Sequence, residues 1–228
     1  MSINTCVFDA YGTLFDVNAA ARIAANEANR EVFKEVWPSV SSTWRMKQLQ
    51  YTWLRSMTGS YTNFWSITEN SLEFALEAHK LQNDLALKER LLALYWELQP
   101  YPEVSQMLKE LKKNGIKTAI LSNGSPEMLS GAVKSSNLYE VIDEIISVEP
   151  VKIFKPSPLV YKQVEKIMEC SKFDVLFVSS NGWDIAGAAG FGFKTAWVNR
   201  LQEPIDRLAH KPMHIVEDLK SIPTFFSN

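Results

Sequence analysis

Short apolar runs that end in polar residues recur along the chain and predict β-strands. The first run covers Thr5–Phe8 and stops at Asp9, before the turn-prone Gly12. Further runs of this kind, each after a segment with helical periodicity, cover residues 116–121, 144–148, 175–178 and 195–198. Strands that alternate with helices indicate a parallel sheet with helices on both faces. The pattern predicts the α/β class, with a doubly wound, Rossmann-like sheet.

The segment between the first two predicted strands shows only helical patterns, rich in alanine and leucine. Turn-forming and helix-breaking residues divide it near residues 37–38, 59–60 and 82–84. The first strand still belongs to the same sheet as the later ones. We therefore expect a core domain of residues 1–15 and 99–228, with residues 16–98 inserted as a helical cap domain.

The composition argues against several classes of function. A net charge of −2 and a pI near 6.0 provide no broad basic field for nucleic acid or for an anionic membrane surface. The chain shows no apolar run of about 18 residues and no signal-peptide pattern, so we expect a cytoplasmic protein without membrane contact. Cys6 and Cys170 lie far apart in the sequence and are expected to be buried thiols in a reducing compartment.

Chemically capable side chains stand at the predicted carboxyl ends of the strands, where sheets of this kind bind their ligands. Following the strands in order, they are Asp9 and Thr13, Ser122 and Asn123, Lys155, and then Ser179, Asn181 and Asp184. We therefore expect a nucleophile, a cation, several hydroxyl groups and a second carboxylate to converge at one edge of the sheet.

The motif of residues 9–14, Asp-Ala-Tyr-Gly-Thr-Leu, is followed at the proper distances by the loops of Ser122, Lys155 and Asp184. Over essentially the whole chain this arrangement resembles the haloacid dehalogenase superfamily. The closer similarity is to L-2-haloacid dehalogenases (haloalkanoic acid dehalogenases of type II), through residues 44–45, 47–49, 51–55 and 177–184. The resemblance implies hydrolysis of short (S)-2-haloalkanoic acids to (R)-2-hydroxyalkanoic acids and halide, through an ester on Asp9.

One departure from the phosphatases of that superfamily concerns the reaction class. Those enzymes carry a second aspartate two residues after the nucleophile, where this chain has Tyr11, and a carboxylate-rich last loop, where it has Asp184 with Ser179 and Asn181. Magnesium requires several oxygen ligands and a leaving alkoxide requires a proton, whereas a halide requires neither. We therefore expect no metal and no cofactor.

The nucleophile is expected to be Asp9, since a carboxylate that attacks an sp3 carbon forms an ester and divides one hydrolysis into two steps. Thr13 could hydrogen-bond Asp9 and aim it, or could instead bond to its own turn. Lys155 would balance the carboxylates, which repel by about 4 kcal/mol per pair at 4 Å and an effective dielectric near 20. The alternatives are a turn-capping aspartate and a surface lysine.

The substrate is expected to meet residues from the cap and from two core loops. Arg45 lies one helical turn from Leu49 on the same face, so the two could close together over a small substrate. The resemblance implies that Arg45 receives the departing halide; from periodicity alone it could be a solvated arginine. Ser122, with backbone N–H groups near Asn123, could seat the substrate carboxylate or form an ordinary turn. Side chains expected to line the alkyl pocket, or simply to pack, are Met46, Phe64 and Trp183. Tyr11 is expected to pack beside the nucleophile and to contribute its backbone N–H to the substrate site.

The last loop has two interpretations. Asn181 and Asp184 have the spacing of a helix cap. The resemblance instead implies that Asp184, with Ser179 and Asn181, holds the water that hydrolyses the ester.

Three other functions remain open on the sequence alone. They are a magnesium-dependent phosphomonoesterase of the same superfamily, a hydrolase of another activated 2-substituted acid, and a noncatalytic binder of small carboxylates. The glycines at 187, 190 and 192 follow a helix and precede a strand, the reverse of a dinucleotide-binding motif, and are attributed to packing and a turn. The expected partners are the 2-haloacid, water, halide and, by family analogy, a second copy of the chain. The aromatic-rich residues 53–65 could form that interface or pack within the cap.

Overall fold

A single parallel sheet forms the centre of the computed structural model, which describes residues 3–226. Its strands are β1 (Thr5–Phe8), β2 (Lys117–Ser122), β3 (Glu144–Ser147), β4 (Val175–Ser179), β5 (Lys194–Val198) and β6 (His214–Val216). Their spatial order is β3-β2-β1-β4-β5-β6, and every neighbouring pair is parallel. The predicted doubly wound α/β fold is confirmed.

The functional edge of this sheet follows from its strand order. β1 pairs with both β2 and β4, with Thr5 opposite Lys117 on one side and Val175 on the other. The chain builds outward through β2 and β3, then crosses to the other side of β1 for β4, β5 and β6. Such a reversal opens a crevice at the carboxyl ends of the two strands beside it. The loops that follow β1 and β4 therefore lie side by side.

The segment between β1 and β2 folds into α1 (Ala19–Ala25), α2 (Glu31–Thr58), α3 (Phe64–Ala78) and α4 (Leu85–Trp96). The predicted breaks at Gly59 and Asp84 are confirmed. Gly59 ends α2 with a left-handed φ of 67°, a conformation that glycine adopts without steric cost. The Asp84 carboxylate accepts a hydrogen bond from the N–H of Leu87 and caps the start of α4.

The predicted break near residues 37–38 is wrong, because α2 continues through Pro38. A proline inside a helix costs about 3 kcal/mol. Buried side chains on both sides of it, Phe33 before and Val40 and Trp44 after, require one continuous helical face. Each such burial contributes about 1.5–3 kcal/mol, so packing outweighs the cost of the proline.

The remaining helices alternate with the strands of the sheet. They are α5 (Val104–Lys113), α6 (Pro126–Ser135), α7 (Pro158–Ile167) and α8 (Gly182–Phe191), with short 3-10 turns at Tyr139–Val141, Glu149–Val151, Lys172–Asp174 and Ile222–Phe226. No helix within residues 3–226 is long and apolar enough to cross a membrane. Cys6 is buried as predicted, whereas Cys170 is only partly buried; burial raises the pKa of both thiols, which are free.

Candidate active site

Asp9 is the residue around which the site is arranged. It directly follows β1, its N–H donates to the carbonyl of Val178 in β4 at 2.9 Å, and it is 6% exposed. Its Oδ1 accepts from Lys155 Nζ at 3.1 Å, and its Oδ2 accepts from Thr13 Oγ1 and from Asn181 Nδ2, each at 3.0 Å. A carboxylate that only capped a turn would bond to backbone N–H groups, whereas the donors to Asp9 are side chains from three loops.

Thr13 has the orientation that its predicted aiming role requires. The N–H of Ser180 donates to Thr13 Oγ1 at 2.8 Å. Because this contact uses the oxygen as an acceptor, the hydroxyl proton is available for Asp9 Oδ2. The turn before it depends on Gly12, which has a φ of 89° and where a Cβ atom would lie 3.1 Å from Ser180 Oγ.

Lys155 is not a surface lysine. It is 1% exposed, and its Nζ donates to Asp9 Oδ1 at 3.1 Å and to Asp184 Oδ2 at 2.9 Å. Burial alone would lower the pKa of Lys155, but the carboxylates of Asp184 and Asp9 outweigh burial and raise it above its ordinary value. The ammonium therefore remains charged and balances two neighbouring carboxylates.

Asp184 is fully buried in the first turn of α8. Its Oδ1 accepts from the Tyr161 hydroxyl at 2.7 Å, while Lys155 occupies Oδ2. Burial raises the pKa of Asp184, and the charge of Asp9 adds to the rise although Lys155 opposes it. A carboxylate with a raised pKa is a better proton acceptor, so Asp184 is suited to general-base chemistry.

The helix-cap interpretation of the last loop is not what the structure shows. Asn181 occupies the N-cap position of α8, but its side chain makes no capping hydrogen bond and donates to Asp9 instead. The Ser179 hydroxyl accepts from the N–H of Asn181 at 3.1 Å, which fixes the start of the loop. Both residues thus lie beside the nucleophile.

Tyr161 is a site residue that the sequence reasoning missed. It is buried in α7, and burial, with the charge of Asp184, raises the pKa of its hydroxyl well above the ordinary value, so the hydroxyl keeps its proton. The close approach of the ring depends on Gly187, where a Cβ atom would lie 2.6 Å from the tyrosine hydroxyl. In the sequence, its only signals are its distance from Lys155 and an apolar helical spacing, which also fits core packing.

Arg45 connects the helical segment to the sheet. It lies on α2 and is only partly exposed. One guanidinium nitrogen donates to Gln48 Oε1 at 2.9 Å, and the other to the carbonyl of Tyr11 and to Asn181 Oδ1, each at 3.4 Å. The arginine is therefore directed at the nucleophile loop and is not solvated on both sides.

Aromatic side chains enclose the nucleophile loop. Tyr11 is buried and stacks on Phe64, with ring centroids 5.8 Å apart, and on Tyr95, with centroids 5.7 Å apart. Trp183 packs edge-on against Trp53, with centroids 5.4 Å apart. Tyr11 and Phe64 thus form an apolar wall beside Asp9, and the role of Tyr95 was not predicted.

Two residues expected to contact the substrate, Met46 and Leu49, line an open cleft and do not form a closed wall. Met46 is 56% exposed, and Leu49 is partly exposed. Together with Arg45 and Asn181 they lie at a cleft of about 690 Å³ between α2 and the carboxyl edge of the sheet. Met46 is therefore placed at the approach to the site.

The Ser122 loop is shaped partly as predicted. Ser122 is fully buried at the end of β2, and Asn123 Oδ1 accepts from the backbone N–H of Lys155 at 2.9 Å. The N–H of Gly124, however, donates to Ser122 Oγ at 3.1 Å, so this N–H group is used within the loop. The Ser122 hydroxyl proton remains available as a donor, and the seating of a carboxylate at this loop stays a prediction.

The charged groups of the site bear on which ions it could hold. Asp9 and Asp184 are bridged by the ammonium of Lys155, which occupies the position between the carboxylates that a bridging cation would need. Among residues 3–226, no group of three or more His, Cys, Asp and Glu side chains is arranged to bind a metal ion. The site combines an ordered carboxylate, a fixed cation, a second, fully buried carboxylate and a guanidinium.

Comparison with known proteins places this site in a family. A model of the haloacid dehalogenase-like hydrolases matches residues 3–192. This chain belongs to that family. Among curated relatives, (S)-2-haloacid dehalogenase 1 of Pseudomonas sp. (strain CBS-3) is 43% identical over 97% of this chain and 95% of the relative. The predicted family is thus confirmed.

Solved structures of haloacid dehalogenase-like proteins share the whole architecture. The crystal structure of a dehalogenase superposes with a TM-score of 0.94 at 39% identity and covers 100% of this chain and 99% of its own. The L-2-haloacid dehalogenase of Xanthobacter autotrophicus with chloropropionic acid covalently bound has a TM-score of 0.88 at 35% identity, with 97% of each chain covered.

Proposed function

We propose that this chain hydrolyses short (S)-2-haloalkanoic acids to (R)-2-hydroxyalkanoic acids and halide, through an ester on Asp9 and without a metal. The observation that carries the proposal is the buried arrangement of Asp9, Lys155 and Asp184, in which the nucleophile is held by side chains and its charge is balanced. Support comes from the relative named (S)-2-haloacid dehalogenase 1 and from the L-2-haloacid dehalogenase with covalently bound chloropropionic acid.

In the first step, an oxygen of Asp9 attacks C2 of the substrate on the side opposite the halogen. A C–O bond forms, the carbon–halogen bond breaks, and the electron pair leaves with the halide, so the configuration at C2 inverts. We assign the attack to Oδ1, because Oδ2 already holds the hydrogen bonds from Thr13 and Asn181. Arg45 receives the halide on the cap side.

The substrate carboxylate would be the third negative charge in a small buried volume. Lys155 neutralises part of the charge of Asp9 and Asp184, which lowers the cost of bringing the anion close. The Ser122 hydroxyl donates to the substrate carboxylate, and Asn123 lies next to it. Tyr11, Phe64 and Trp183 provide the apolar surroundings for the alkyl group, with Met46 and Leu49 at the entrance.

In the second step, water attacks the carbonyl carbon of the Asp9 ester. Asp184 accepts the proton, and Ser179 and Asn181 help to hold the water. The donors to Oδ2, Thr13 and Asn181, stabilise the negative charge that develops on the ester carbonyl oxygen, as an oxyanion hole does. Collapse of the intermediate breaks the bond between the carbonyl carbon and the ester oxygen, and the proton held by Asp184 passes to the leaving alkoxide. Asp9 is regenerated and the 2-hydroxy acid is released.

The organisation around the site completes the proposal. Residues 16–98 act as a cap domain on a core domain of residues 1–15 and 99–228, so that the cap supplies Arg45 and the core supplies Asp9. A homodimer remains the expectation from family resemblance, and a cytoplasmic location remains the expectation from the sequence. Size-exclusion chromatography with light scattering measures the mass in solution and tests the dimer.

The function is tested with purified protein that has been dialysed against EDTA. Chloride release is followed from L-2-chloropropionate and D-2-chloropropionate separately, for the native protein and for Asp9→Asn. We expect release from the L form alone and its loss in the variant. No release from either enantiomer or from chloroacetate would contradict the proposal; phosphate release from a chromogenic ester with magnesium would then favour a phosphomonoesterase.

A further inference from the structure

We infer that Gln48 is a positioning residue that sets the direction of the Arg45 guanidinium toward the departing halide, an inference that rests on the proposed function. Gln48 lies on α2, three residues after Arg45, and is 1% exposed. Residues three positions apart share one face of a helix, so the amide can reach the guanidinium. A buried glutamine is costly unless its polar atoms are bonded, and all of those of Gln48 are.

Arg45 is held firmly on one side and loosely on the other. Its contact with Gln48 Oε1 is 2.9 Å, whereas its contacts with the Tyr11 carbonyl and with Asn181 Oδ1 are 3.4 Å each. Because a guanidinium is a rigid planar fork, fixing one nitrogen fixes where the other points. The firm contact lies within the helical segment, and the loosely bonded nitrogen faces the nucleophile loop. This nitrogen can therefore exchange its two weak contacts for a contact with an anion.

The amide of Gln48 has only one orientation that satisfies its neighbours. The Thr68 hydroxyl donates to the carbonyl of Phe64 at 2.8 Å, so it must accept from Gln48, whose Nε2 lies 2.8 Å away. Nε2 also lies 3.1 Å from the Tyr95 hydroxyl. The amide nitrogen therefore faces Thr68, and the amide oxygen accepts from Arg45 at 2.9 Å and from the Tyr95 hydroxyl at 3.3 Å.

The same network reaches the nucleophile loop by a second route. The Tyr95 ring stacks on Tyr11 at 5.7 Å between centroids, and Tyr11 is the residue whose carbonyl Arg45 contacts. Gln48, Tyr95, Tyr11 and Arg45 thus form a closed circuit of contacts between the helical segment and the loop of Asp9. A change at Gln48 is transmitted to the site through Arg45, without direct contact with the substrate.

Leaving-group dependence separates this role from a merely structural one. Chloride is a poorer leaving group than bromide and needs more stabilisation in the transition state, so a misdirected Arg45 harms the chloro substrate more. In Gln48→Met we expect kcat/KM to fall on the order of tenfold or more for L-2-chloropropionate, as for loss of a hydrogen bond to a charged group. The loss for L-2-bromopropionate should be several-fold smaller, and inhibition by added bromide should weaken.

The matched control is Gln50→Met, which makes the same substitution at an exposed position of α2 where the glutamine contacts Lys47. Gln50→Met should leave kcat/KM for the chloro substrate, kcat/KM for the bromo substrate, and the ratio of the two unchanged. If Gln48→Met does not fold, Tyr95→Phe keeps the stacked ring, removes the hydroxyl behind Gln48, and should raise the bromide-to-chloride ratio in the same direction.

The outcomes distinguish this inference from the proposed function. Suppose that the native protein releases halide and that the bromide-to-chloride ratio of kcat/KM is the same in the Gln48→Met variant as in the native protein. This result would overturn the positioning role and leave the proposed function intact. Equal losses on both substrates would also overturn it. A native protein that releases no halide would overturn the proposed function, and this inference with it.

Discussion

Replacing Lys155 with methionine should strongly destabilise the folded protein, because the ammonium lies between two buried carboxylates. Its nitrogen is 3.1 Å from Asp9 and 2.9 Å from Asp184. Unit charges at such distances attract by about 5 kcal/mol per pair at an effective dielectric near 20. Desolvation of the ammonium offsets part of this, and removal of one partner of a buried ion pair typically costs about 3–5 kcal/mol. We expect a loss of that size in the free energy of unfolding near neutral pH.

The destabilisation should depend on pH with a definite sign. Burial already raises the pKa of Asp184, and loss of the Lys155 ammonium would raise it further. A carboxyl group whose pKa is higher in the folded state than in the unfolded state stabilises the fold fully when the pH is below its unfolded-state pKa. This stabilisation is lost as the pH rises through the folded-state pKa. The deficit of Lys155→Met should therefore be greatest near neutral pH and shrink on acidification.

Urea unfolding at about pH 7 and about pH 5, followed by circular dichroism, measures this deficit. The matched control is Lys109→Met, at an exposed lysine of α5, which should change stability by less than about 0.5 kcal/mol at either pH. A Lys155→Met variant that is unfolded at neutral pH but folds at pH about 5 would agree with the reasoning. A loss below about 1 kcal/mol, or one that does not change with pH, would refute it.

Two further variants test the hydrogen bonds around the carboxylates. Thr13→Val removes the donor to Asp9 Oδ2 and should lower kcat for chloride release about ten- to a hundredfold. Thr13→Ser keeps a hydroxyl and should retain most of the native kcat. Equal kcat values for the two variants would contradict the aiming role. Tyr161→Phe removes a hydrogen bond that lowers the pKa of Asp184, so the acid limb of the pH–rate profile should move to higher pH. An unmoved acid limb would argue against Asp184 as the base.

The convergence of the main chemical groups could be predicted from sequence because the carboxyl ends of parallel strands meet at one edge of the sheet. Asp9, Lys155 and Asp184 each follow a strand or its loop, and the structure brings them within hydrogen-bonding distance. Tyr161 and Gln48 could not be recognised in this way. They lie within helices, and their positions in the helical repeat do not differ from those of ordinary core or surface residues.

The predictions of the fold that were wrong or missing have a similar cause. β6 was not predicted because it spans only His214–Val216, is partly exposed, and follows a long irregular segment with no periodicity. The break at Pro38 was expected from local propensity, whereas packing on both sides of the proline holds α2 together. Local signals were sufficient where they agreed with tertiary packing, as at Gly59 and Asp84.

The central claim is that Asp9 forms the covalent ester and that water attacks its carbonyl carbon. A single turnover in water enriched in oxygen-18, with enzyme in excess over L-2-chloropropionate, tests this directly by mass spectrometry. We expect an unlabelled 2-hydroxy acid and one labelled oxygen in the peptide that contains Asp9, because the product takes its hydroxyl oxygen from the carboxylate. Labelled product with unlabelled Asp9 would mean that water displaces the halide itself, and would contradict the account.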